Sequence, residues 1–306
     1  MTNVVSVKHR RSPWELERIG ERRRAVQLAD ARSLEIERAP ATLLAIGSQL
    51  AHGSVGLNAA ERVFFSRGVR AIRIPTILLS VMPHYAAVHD VQVPAAWLAD
   101  ALRDLAAAGA LAGLEWLTTG YFATPGQPAA VAEWLRDEPA RTRPALIVDP
   151  TLGDVELGFY TDPRLAAEIR AELLPLATGI VPNVFELAHL SGSPRAALRS
   201  RAAIEAAART LMGPQTEWVV VTGVSLPSLR NEPGHHPDIC EVLVTRSWSS
   251  VHRQQQRNTT AKGLGDTFTA ALATALIERH DVDEAVEYAA AEVRRMLTPP
   301  SRPPRD

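Results

Sequence analysis

A glycine-rich turn that runs directly into an apolar helix is the part of the sequence best suited to chemistry. The turn is Gly263-Leu264-Gly265-Asp266, and the residues that follow it are small or apolar. Glycines allow backbone N–H groups to turn inward, and the first turn of a helix carries unpaired N–H donors and a positive dipole end. We therefore expect this turn to bind an anion.

Asp266 stands at the entrance of the turn, where a carboxylate that served only as a cap would repel a bound phosphate. It is better explained as a base that takes the proton of a hydroxyl group. The neighbouring N–H groups would then hold the charge that develops on a transferred phosphoryl group. Because Gly-x-Gly-Asp before a helix also occurs as plain helix capping, the pattern alone leaves both interpretations open.

Length and composition indicate an ordinary globular chain. Its 306 residues are 46% hydrophobic and 22% charged, which is enough for one large α/β domain or two smaller ones. The formal net charge of -1 gives no general attraction to nucleic acid or to an anionic membrane. We expect neither as a partner.

The single cysteine and the charged N-terminus indicate the cellular compartment in which the protein is expected. Cys240 cannot form an internal disulfide and is expected to be a buried, inert thiol. No apolar run reaches the length of a membrane span, and the N-terminus is charged, unlike a signal peptide. These features predict a cytoplasmic protein.

The two ends of the chain differ from the part between them. Residues 1–40 carry nine Lys or Arg and six Asp or Glu, with few large apolar side chains. They are predicted to be a charged, poorly ordered extension, with a basic regulatory arm as the alternative. Residues 298–306 form a Pro-rich tail that cannot continue a helix. The folded domain is therefore expected at 41–297.

Between these ends, short apolar runs alternate with helical patterns, which predicts βαβ units and a largely parallel sheet with helices on both faces. Pro75 predicts an edge or a bend in its strand. Residues 239–245 and 247–251 look like paired antiparallel strands at an edge of the sheet. Strands are predicted at 42–46, 69–79, 114–119, 145–150, 179–181 and 218–222, and helices at 94–108, 128–135, 165–174, 183–190, 196–211, 264–278 and 283–297.

Polar residues follow the predicted strands or begin the predicted helices, at the edge where open α/β sheets bind ligands. Asp149 could instead form a turn, and Asn183 with Glu186 fits a capping box. Together, however, they place oxygen atoms where a Mg²⁺ that bridges nucleotide phosphates needs them. The residues expected to converge on one crevice are Ser48, Gly120, Tyr121, Asp149, Asn183, Glu186, Thr222 and Asp266.

In their order along the chain, these motifs resemble the pyridoxal kinase branch of the ribokinase-like superfamily, from residue 41 to about 297. The resemblance implies a three-layer α/β sandwich and ATP-dependent phosphorylation of the 5′-hydroxymethyl group of pyridoxal, pyridoxine or pyridoxamine. It also implies Mg²⁺, usually K⁺, and a cytoplasmic homodimer. The motifs that carry it are Ile46-Gly47-Ser48, Gly53-x-x-Gly56, Pro75-Thr76, Gly120-Tyr121, Asp149-Pro150-x-x-Gly153-Asp154, Pro182-Asn183-x-x-Glu186-Leu187 and Gly263-x-Gly265-Asp266.

The resemblance also implies a role for particular residues. Asp266 matches the base, and Gly263, Leu264 and Gly265 match the N–H groups that hold the anion. Asp149 and Glu186 match residues near Mg²⁺, which they would contact directly or through water. Ser48, Thr76 and Ile77 match positions that contact the vitamin ring, and Asp149, Val181, Glu186, Thr222, Val251, His252, Arg253 and Gln254 match positions around the nucleotide.

Two segments depart from the family pattern. Val81-Met82-Pro83-His84-Tyr85 stands where a flap over the substrate usually carries more polar groups, and Lys262 precedes the anion turn. Lys262 could bind the transferred phosphate, replace the monovalent cation or point into solvent. These departures keep two alternatives open: a kinase of another hydroxymethyl compound, such as hydroxymethylpyrimidine or a nucleoside, and a catalytically degenerate vitamin-binding regulatory protein.

Overall fold

The computed structural model describes residues 39–225, 238–255 and 259–297. The predicted extension at 1–40, apart from its last two residues, and the predicted tail at 298–306 lie outside the described residues, and both remain predictions. Within the described residues no helix is both long enough and apolar enough to cross a membrane.

A nine-stranded sheet forms the centre of the described chain. Six adjacent strands run parallel, and antiparallel strands flank them on both sides. The order across the sheet is β11-β10-β9-β8-β5-β4-β1-β2-β3. Its strands are β1 (Leu43–Leu50), β2 (Ala71–Leu79), β3 (Asp90–Gln92), β4 (Trp116–Thr119), β5 (Ala145–Val148), β8 (Gly179–Ile180), β9 (Trp218–Val224), β10 (Asp238–Thr245) and β11 (Ser249–Gln255), and a separate hairpin consists of β6 (Gly153–Asp154) and β7 (Gly158–Phe159).

The helices cover both faces of this sheet. They are α1 (Gly56–Ser66), α2 (Ala95–Ala107), α3 (Gln127–Asp137), α4 (Arg164–Glu168), α5 (Val184–Ser191), α6 (Arg201–Arg209), α7 (Leu264–Ile277) and α8 (Val282–Met296). The chain continues beyond α4 as a π-helical turn, Ile169–Leu173, and a 3₁₀ turn, Leu174–Leu176. The helix predicted at 196–211 is shorter than expected, because Ser200 caps α6 and begins a new helix there.

Strand β1 shows how the two layers of helices are held. Its side chains alternate between the faces, as a strand in a sheet requires. Leu44 and Ile46 pack into the core under α2 to α6, whereas Leu43 and Ala45 pack into the core under α1, α7 and α8. All four side chains are buried. The predicted α/β three-layer sandwich with antiparallel edge strands is confirmed.

Pro75 lies in β2, which pairs with β1 along its length but with β3 only at Ile77–Leu79, so no strand of the described chain pairs with Pro75 on the side away from β1. The register between β1 and β2 also shifts at this point, between Gly47 and Ser48. Because proline has no N–H to donate to the ladder, an irregular register is the form in which a sheet accommodates it. Pro75 therefore lies both at a local edge of the sheet and beside an irregularity in its strand.

Candidate active site

Asp266 lies in the first turn of α7, which begins at the left-handed residue Gly263, with φ of 86°. The N–H and the hydroxyl group of Thr267 donate to the carbonyl oxygen of Gly263, at 3.0 Å and 2.7 Å, and fix the helix entrance. The Asp266 side chain is half-buried, and the backbone N–H groups of Gly56 and of Asp266 itself lie near its carboxylate. Burial raises the pKa of Asp266, and these two N–H groups oppose the rise only in part.

The two glycine turns of the sequence pack against each other around Asp266. Gly263 has no room for a side chain, since a Cβ there would overlap the carbonyl oxygen of Ser54 in the first turn. Gly56 is left-handed, with φ of 56°, and a Cβ there would overlap Ser48. Both glycines are therefore required by close contact as well as by backbone conformation.

Asp149 follows β5 and is held by groups on both sides. One carboxylate oxygen accepts the hydroxyl of Thr151 at 2.8 Å and the N–H of the same residue at 3.2 Å. The other accepts the hydroxyl of Thr269, one turn along α7 from Asp266, at 2.8 Å. Burial, and then the charge of Asp266, raise the pKa of Asp149. The carboxylates of Asp149 and Asp266 therefore share one site.

Glu186 is the third residue of α5 and forms a capping box with Asn183, the N-cap residue of this helix. Its carboxylate accepts the N–H of Asn183 at 2.9 Å and of Leu152 at 2.8 Å, while the amide of Asn183 donates to the carbonyl of Gly153 at 2.8 Å. Burial, followed by the charge of Asp149, raises the pKa of Glu186, against the effect of these N–H donors. The capping interpretation is correct, and the same carboxylate also faces the cavity described next.

A cavity of about 420 Å³ lies over the carboxyl ends of these strands and the entrance of α7. Its walls carry the carboxylates of Asp149, Glu186 and Asp266 together with the backbone of the anion turn. This brings together the predicted base, the predicted anion-holding turn and both predicted metal-side carboxylates. Of the residues expected to converge on one crevice, Asp149, Asn183, Glu186, Thr222 and Asp266 line this cavity, whereas Ser48, Gly120 and Tyr121 do not. Residues that the resemblance assigned to the nucleotide and that line this cavity are Asp149, Val181, Glu186, Thr222 and Gln254.

Three other residues assigned to the nucleotide, Val251, His252 and Arg253, do not line this cavity. His252 Nε2 lies 3.0 Å from a carboxylate oxygen of Asp283 and 3.1 Å from the hydroxyl of Ser250, so it joins β11 to the first turn of α8. Their contact with a nucleotide remains a prediction.

The residues assigned to the vitamin ring lie together where β1 and β2 meet. Ser48 pairs with Ile77, and the side chains of Ser48, Thr76 and Ile77 are all buried. The hydroxyl of Thr76 donates to the carbonyl of Tyr121 at 2.6 Å, so this hydroxyl already has a protein partner. The loop after β4, which carries Tyr121, is thereby attached to β2.

Gln127 is a buried residue of this region that the sequence did not single out. Its amide nitrogen donates to the carbonyls of Thr76 at 2.9 Å and Val93 at 2.7 Å, and its amide oxygen accepts the N–H of Ala123 at 2.8 Å and of Thr124 at 3.3 Å. One fully buried side chain thus joins β2, the segment before α2 and the loop after β4. A glutamine at the start of a helix gives no local signal of such a role.

Gln127→Glu is expected to destabilise the fold by about 3 kcal/mol and, if the activity is the one that the resemblance implies, to raise KM for the vitamin more than KM for ATP. A carboxylate oxygen would face two carbonyls, which would lose their donors in a buried site. Chemical denaturation and steady-state kinetics measure the two effects. Gln92→Glu makes the same change on exposed β3 and should alter neither; equal effects of the two variants would contradict the role of Gln127.

Two further residues, to which sequence reasoning gave no role, complete the walls of the cavity. Glu241 is buried and accepts the amide of Gln254 at 2.8 Å. Asp154 lies on the β6–β7 hairpin opposite Lys262, whose ammonium group is 3.8 Å from its carboxylate. Hairpins of two-residue strands leave no periodic pattern, so the sequence could not place Asp154 beside the anion turn.

No preformed metal site is evident in the described parts of the chain, where no group of three His, Cys, Asp or Glu side chains could hold a metal ion directly. Asp149 and Glu186 face the cavity but already accept hydrogen bonds from protein groups. Such carboxylates suit Mg²⁺ that is held mainly by phosphates and water, because Mg²⁺ keeps several waters and takes only one or two carboxylates. The donor set therefore fits this ion through water-mediated contacts.

Comparison with known proteins agrees with this geometry. The family model of phosphomethylpyrimidine kinase matches residues 51–303. The pyridoxine/pyridoxal/pyridoxamine kinase of Bordetella bronchiseptica is 38% identical over 260 residues, which cover 84% of this chain and 89% of that protein. The chain belongs to the pyridoxal kinase family. The equivalent protein of Bordetella pertussis is 37% identical over 260 residues, with the same coverage.

Solved structures of this family share its fold. The pyridoxal kinase of Entamoeba histolytica superimposes with a TM-score of 0.73 at 21% identity, over 85% of this chain and 89% of that one. The pyridoxal kinase of Leishmania donovani in complex with ADP and pyridoxamine gives 0.71 at 24% identity, over 83% and 85%. Membership of the family makes this protein a kinase with a ribokinase-like fold.

Proposed function

We propose that this protein is an ATP-dependent pyridoxal kinase, which phosphorylates the 5′-hydroxymethyl group of pyridoxal, pyridoxine or pyridoxamine. The observation that carries the proposal is the position of Asp266, whose carboxylate lies in the first turn of α7 and faces the same cavity as Gly263 to Gly265. A base and a set of anion-holding N–H groups are the two parts that phosphoryl transfer to an alcohol needs. The named relatives from Bordetella support the choice of substrate.

In this proposal Asp266 accepts the proton of the substrate hydroxyl as the oxygen attacks the terminal phosphorus of ATP. The new bond joins the hydroxymethyl oxygen to phosphorus, and the bond from phosphorus to the bridging oxygen of ADP breaks. The N–H groups of Gly263, Leu264 and Gly265 hold the negative charge on the transferred group. The N–H of Gly56 favours the ionised form of the Asp266 carboxylate, which a base needs. A phosphate ester, ADP and one proton are the products.

Metal ions complete this proposal. Mg²⁺ would neutralise charge on the phosphates, and Asp149 and Glu186 would receive hydrogen bonds from its waters. K⁺ is the monovalent cation that the family resemblance implies. The nucleotide positions proposed from that resemblance, Val181, Thr222 and Gln254, line the cavity on the side of β9 to β11.

A substrate panel tests the function. The purified protein with MgATP and K⁺ is offered pyridoxal, pyridoxine, pyridoxamine, hydroxymethylpyrimidine and a nucleoside, and ADP release is measured together with the phosphorylated product. We expect turnover with the three vitamin forms. The match to the phosphomethylpyrimidine kinase family keeps hydroxymethylpyrimidine as the alternative substrate. Turnover of hydroxymethylpyrimidine alone would replace the proposal. If none of the compounds caused ADP release, the proposal would be refuted.

The pH profile gives a second test of Asp266 as the base. The group must be ionised to accept a proton, so kcat/KM should fall as pH decreases through its pKa. Because burial raises that pKa above the ordinary 3.8, the acid limb is expected at a higher pH than for an exposed aspartate. Initial rates across a pH series with saturating MgATP measure it. An acid limb at the pKa of an exposed aspartate would contradict the assignment of Asp266 as the base.

The assembly and compartment implied by the resemblance, a homodimer in the cytoplasm, also belong to this proposal. Apolar side chains at the β3 edge of the sheet support a protein contact there: Leu78 is 45% exposed, Val91 is 62% exposed and Trp97 is 50% exposed. Light scattering of the purified protein measures its mass in solution. A monomer at micromolar concentration would exclude the homodimer.

A further inference from the structure

Lys262 is unusual in this sequence because almost all of the basic residues are arginines. Of its 33 Lys and Arg residues only Lys8 and Lys262 are lysines. Lysine differs from arginine as a compact ammonium group on a flexible stem, which binds a phosphate as a point charge. The residue that departs from this composition directly precedes the anion turn.

The structure puts Lys262 in the wall of the 420 Å³ cavity, next to Gly263. Its ammonium group lies 3.8 Å from the carboxylate of Asp154, and the two side chains are 34% and 32% exposed. The other carboxylate oxygen of Asp154 accepts the N–H groups of Glu156 and Leu157 at 2.9 Å and 2.7 Å, so the carboxylate has a fixed orientation. Lys262 thus has a fixed partner but a loose, partly solvated contact.

The charges around the cavity give this contact its significance. Five carboxylates line the cavity, whereas the cations among its described lining residues are Lys262 and Arg294. Arg294 belongs to α8, but Lys262 belongs to the turn whose N–H groups face the anion. A nucleotide polyphosphate that enters such an acidic cavity needs a cation at the anion turn. The lining carboxylates are Asp149, Asp154, Glu186, Glu241 and Asp266.

We propose that the ammonium group of Lys262 binds the terminal phosphate of the nucleotide, and that Asp154 holds this group beside the anion turn until the nucleotide arrives. A solvent-exposed ion pair contributes little to stability, so the lysine can leave Asp154 at little cost. The phosphate offers more charge and several acceptor oxygens. This inference rests on the proposed function only in requiring a nucleotide in the cavity, and it holds whichever alcohol is phosphorylated.

Lysine footprinting tests the contact without catalysis, because the chain carries its own reference in Lys8. The full-length protein is reductively methylated with and without Mg²⁺ and a non-hydrolysable ATP analogue, and mass spectrometry follows both lysines. We expect the analogue to slow modification of Lys262 about tenfold or more, and ADP and adenosine to slow it much less. Lys8 should react at one rate throughout. Unchanged modification of Lys262, or equal protection by ADP, would overturn the proposal.

Substitution gives the second test. Lys262→Met keeps the length of the side chain without its charge and should lower kcat about 10²-fold with KM for the alcohol unchanged. Lys262→Arg should recover only part of kcat, because the planar guanidinium differs in shape from an ammonium group. Arg103→Met removes the same charge from an exposed position on α2 and should keep the parent kcat. Parent kcat and parent analogue affinity in Lys262→Met would refute the contact.

These results are separable from the fate of the proposed function. If the wild-type protein phosphorylates no vitamin form but the ATP analogue still protects Lys262, the substrate assignment fails and the phosphate contact stands. If the vitamin forms are phosphorylated and Lys262 is not protected, the function stands and this inference fails.

Discussion

Asp266→Asn is expected to lower kcat by about 10³-fold while the protein still binds ATP and the vitamin substrate. The amide has nearly the shape of the carboxylate but cannot accept the hydroxyl proton. Since the half-buried carboxylate also repels the phosphates, nucleotide affinity should stay the same or increase. Single-turnover kinetics measure the chemical step, and calorimetry with a non-hydrolysable ATP analogue measures binding.

Asp104→Asn serves as the control, because it makes the same chemical change at an exposed position on α2. It should have the parent kcat and the parent stability. If Asp266→Asn kept kcat within about threefold of the parent, the base would have to be another group, and the mechanism proposed for this site would be wrong. If Asp266→Asn lost both nucleotide binding and turnover, the substitution would instead have disrupted the anion turn.

Gly263→Ala is expected to lower kcat by about 10²-fold or more and to destabilise the fold. Two effects combine at this residue. Its φ of 86° is unfavourable for alanine, and the added Cβ would overlap the carbonyl of Ser54. That overlap would push the two glycine turns apart, so the N–H groups of the anion turn and the carboxylate of Asp266 would both move. Thermal denaturation and steady-state kinetics measure these losses.

Gly68→Ala separates the two effects. Gly68 has a φ of 66° and nothing within 4 Å of the added Cβ, so it carries the backbone strain without the overlap. It should be destabilised by about 1 kcal/mol and keep its kcat. If Gly263→Ala behaved in the same way as Gly68→Ala, close packing of the two turns would not be what holds the anion site together.

The sequence predicts those parts of the fold that have a local cause. β1, β5 and β9 are apolar runs with enough length to be recognised, and a glycine or a cap marks the beginning of α7 and α5. β3 and the β6–β7 hairpin are not predicted, because these short strands contain no run of apolar residues, whereas the equally short β8 is marked by Ile180-Val181. The π-helical turn after α4 was predicted as ordinary helix, since no proline or glycine marks the change.

For the candidate site, too, some residues can be predicted from local sequence and others cannot. Motif order identifies Asp266, Asp149 and Glu186 as members of one group, because strand ends in a parallel sheet converge on one edge. The hydrogen bond from Thr269 to Asp149 joins residues 120 positions apart and leaves no trace in either segment. The four hydrogen bonds of Gln127 are hidden for the same reason. The sequence thus points to the groups proposed to react, whereas the residues that hold them in place are seen only in the folded chain.

The packing of the first glycine turn against the last one has a consequence for how the protein is made. Arg67, just after α1, forms an ion pair with Glu278, just after α7, across 211 residues of chain. During translation the early strands emerge long before α7 and α8, so the face of β1 that carries Leu43 and Ala45 has only α1 to cover it. A nascent chain must therefore wait, with this apolar face covered only in part, until synthesis is nearly finished. Ribosome-bound chains that stop before residue 262 should engage chaperones and bind no nucleotide.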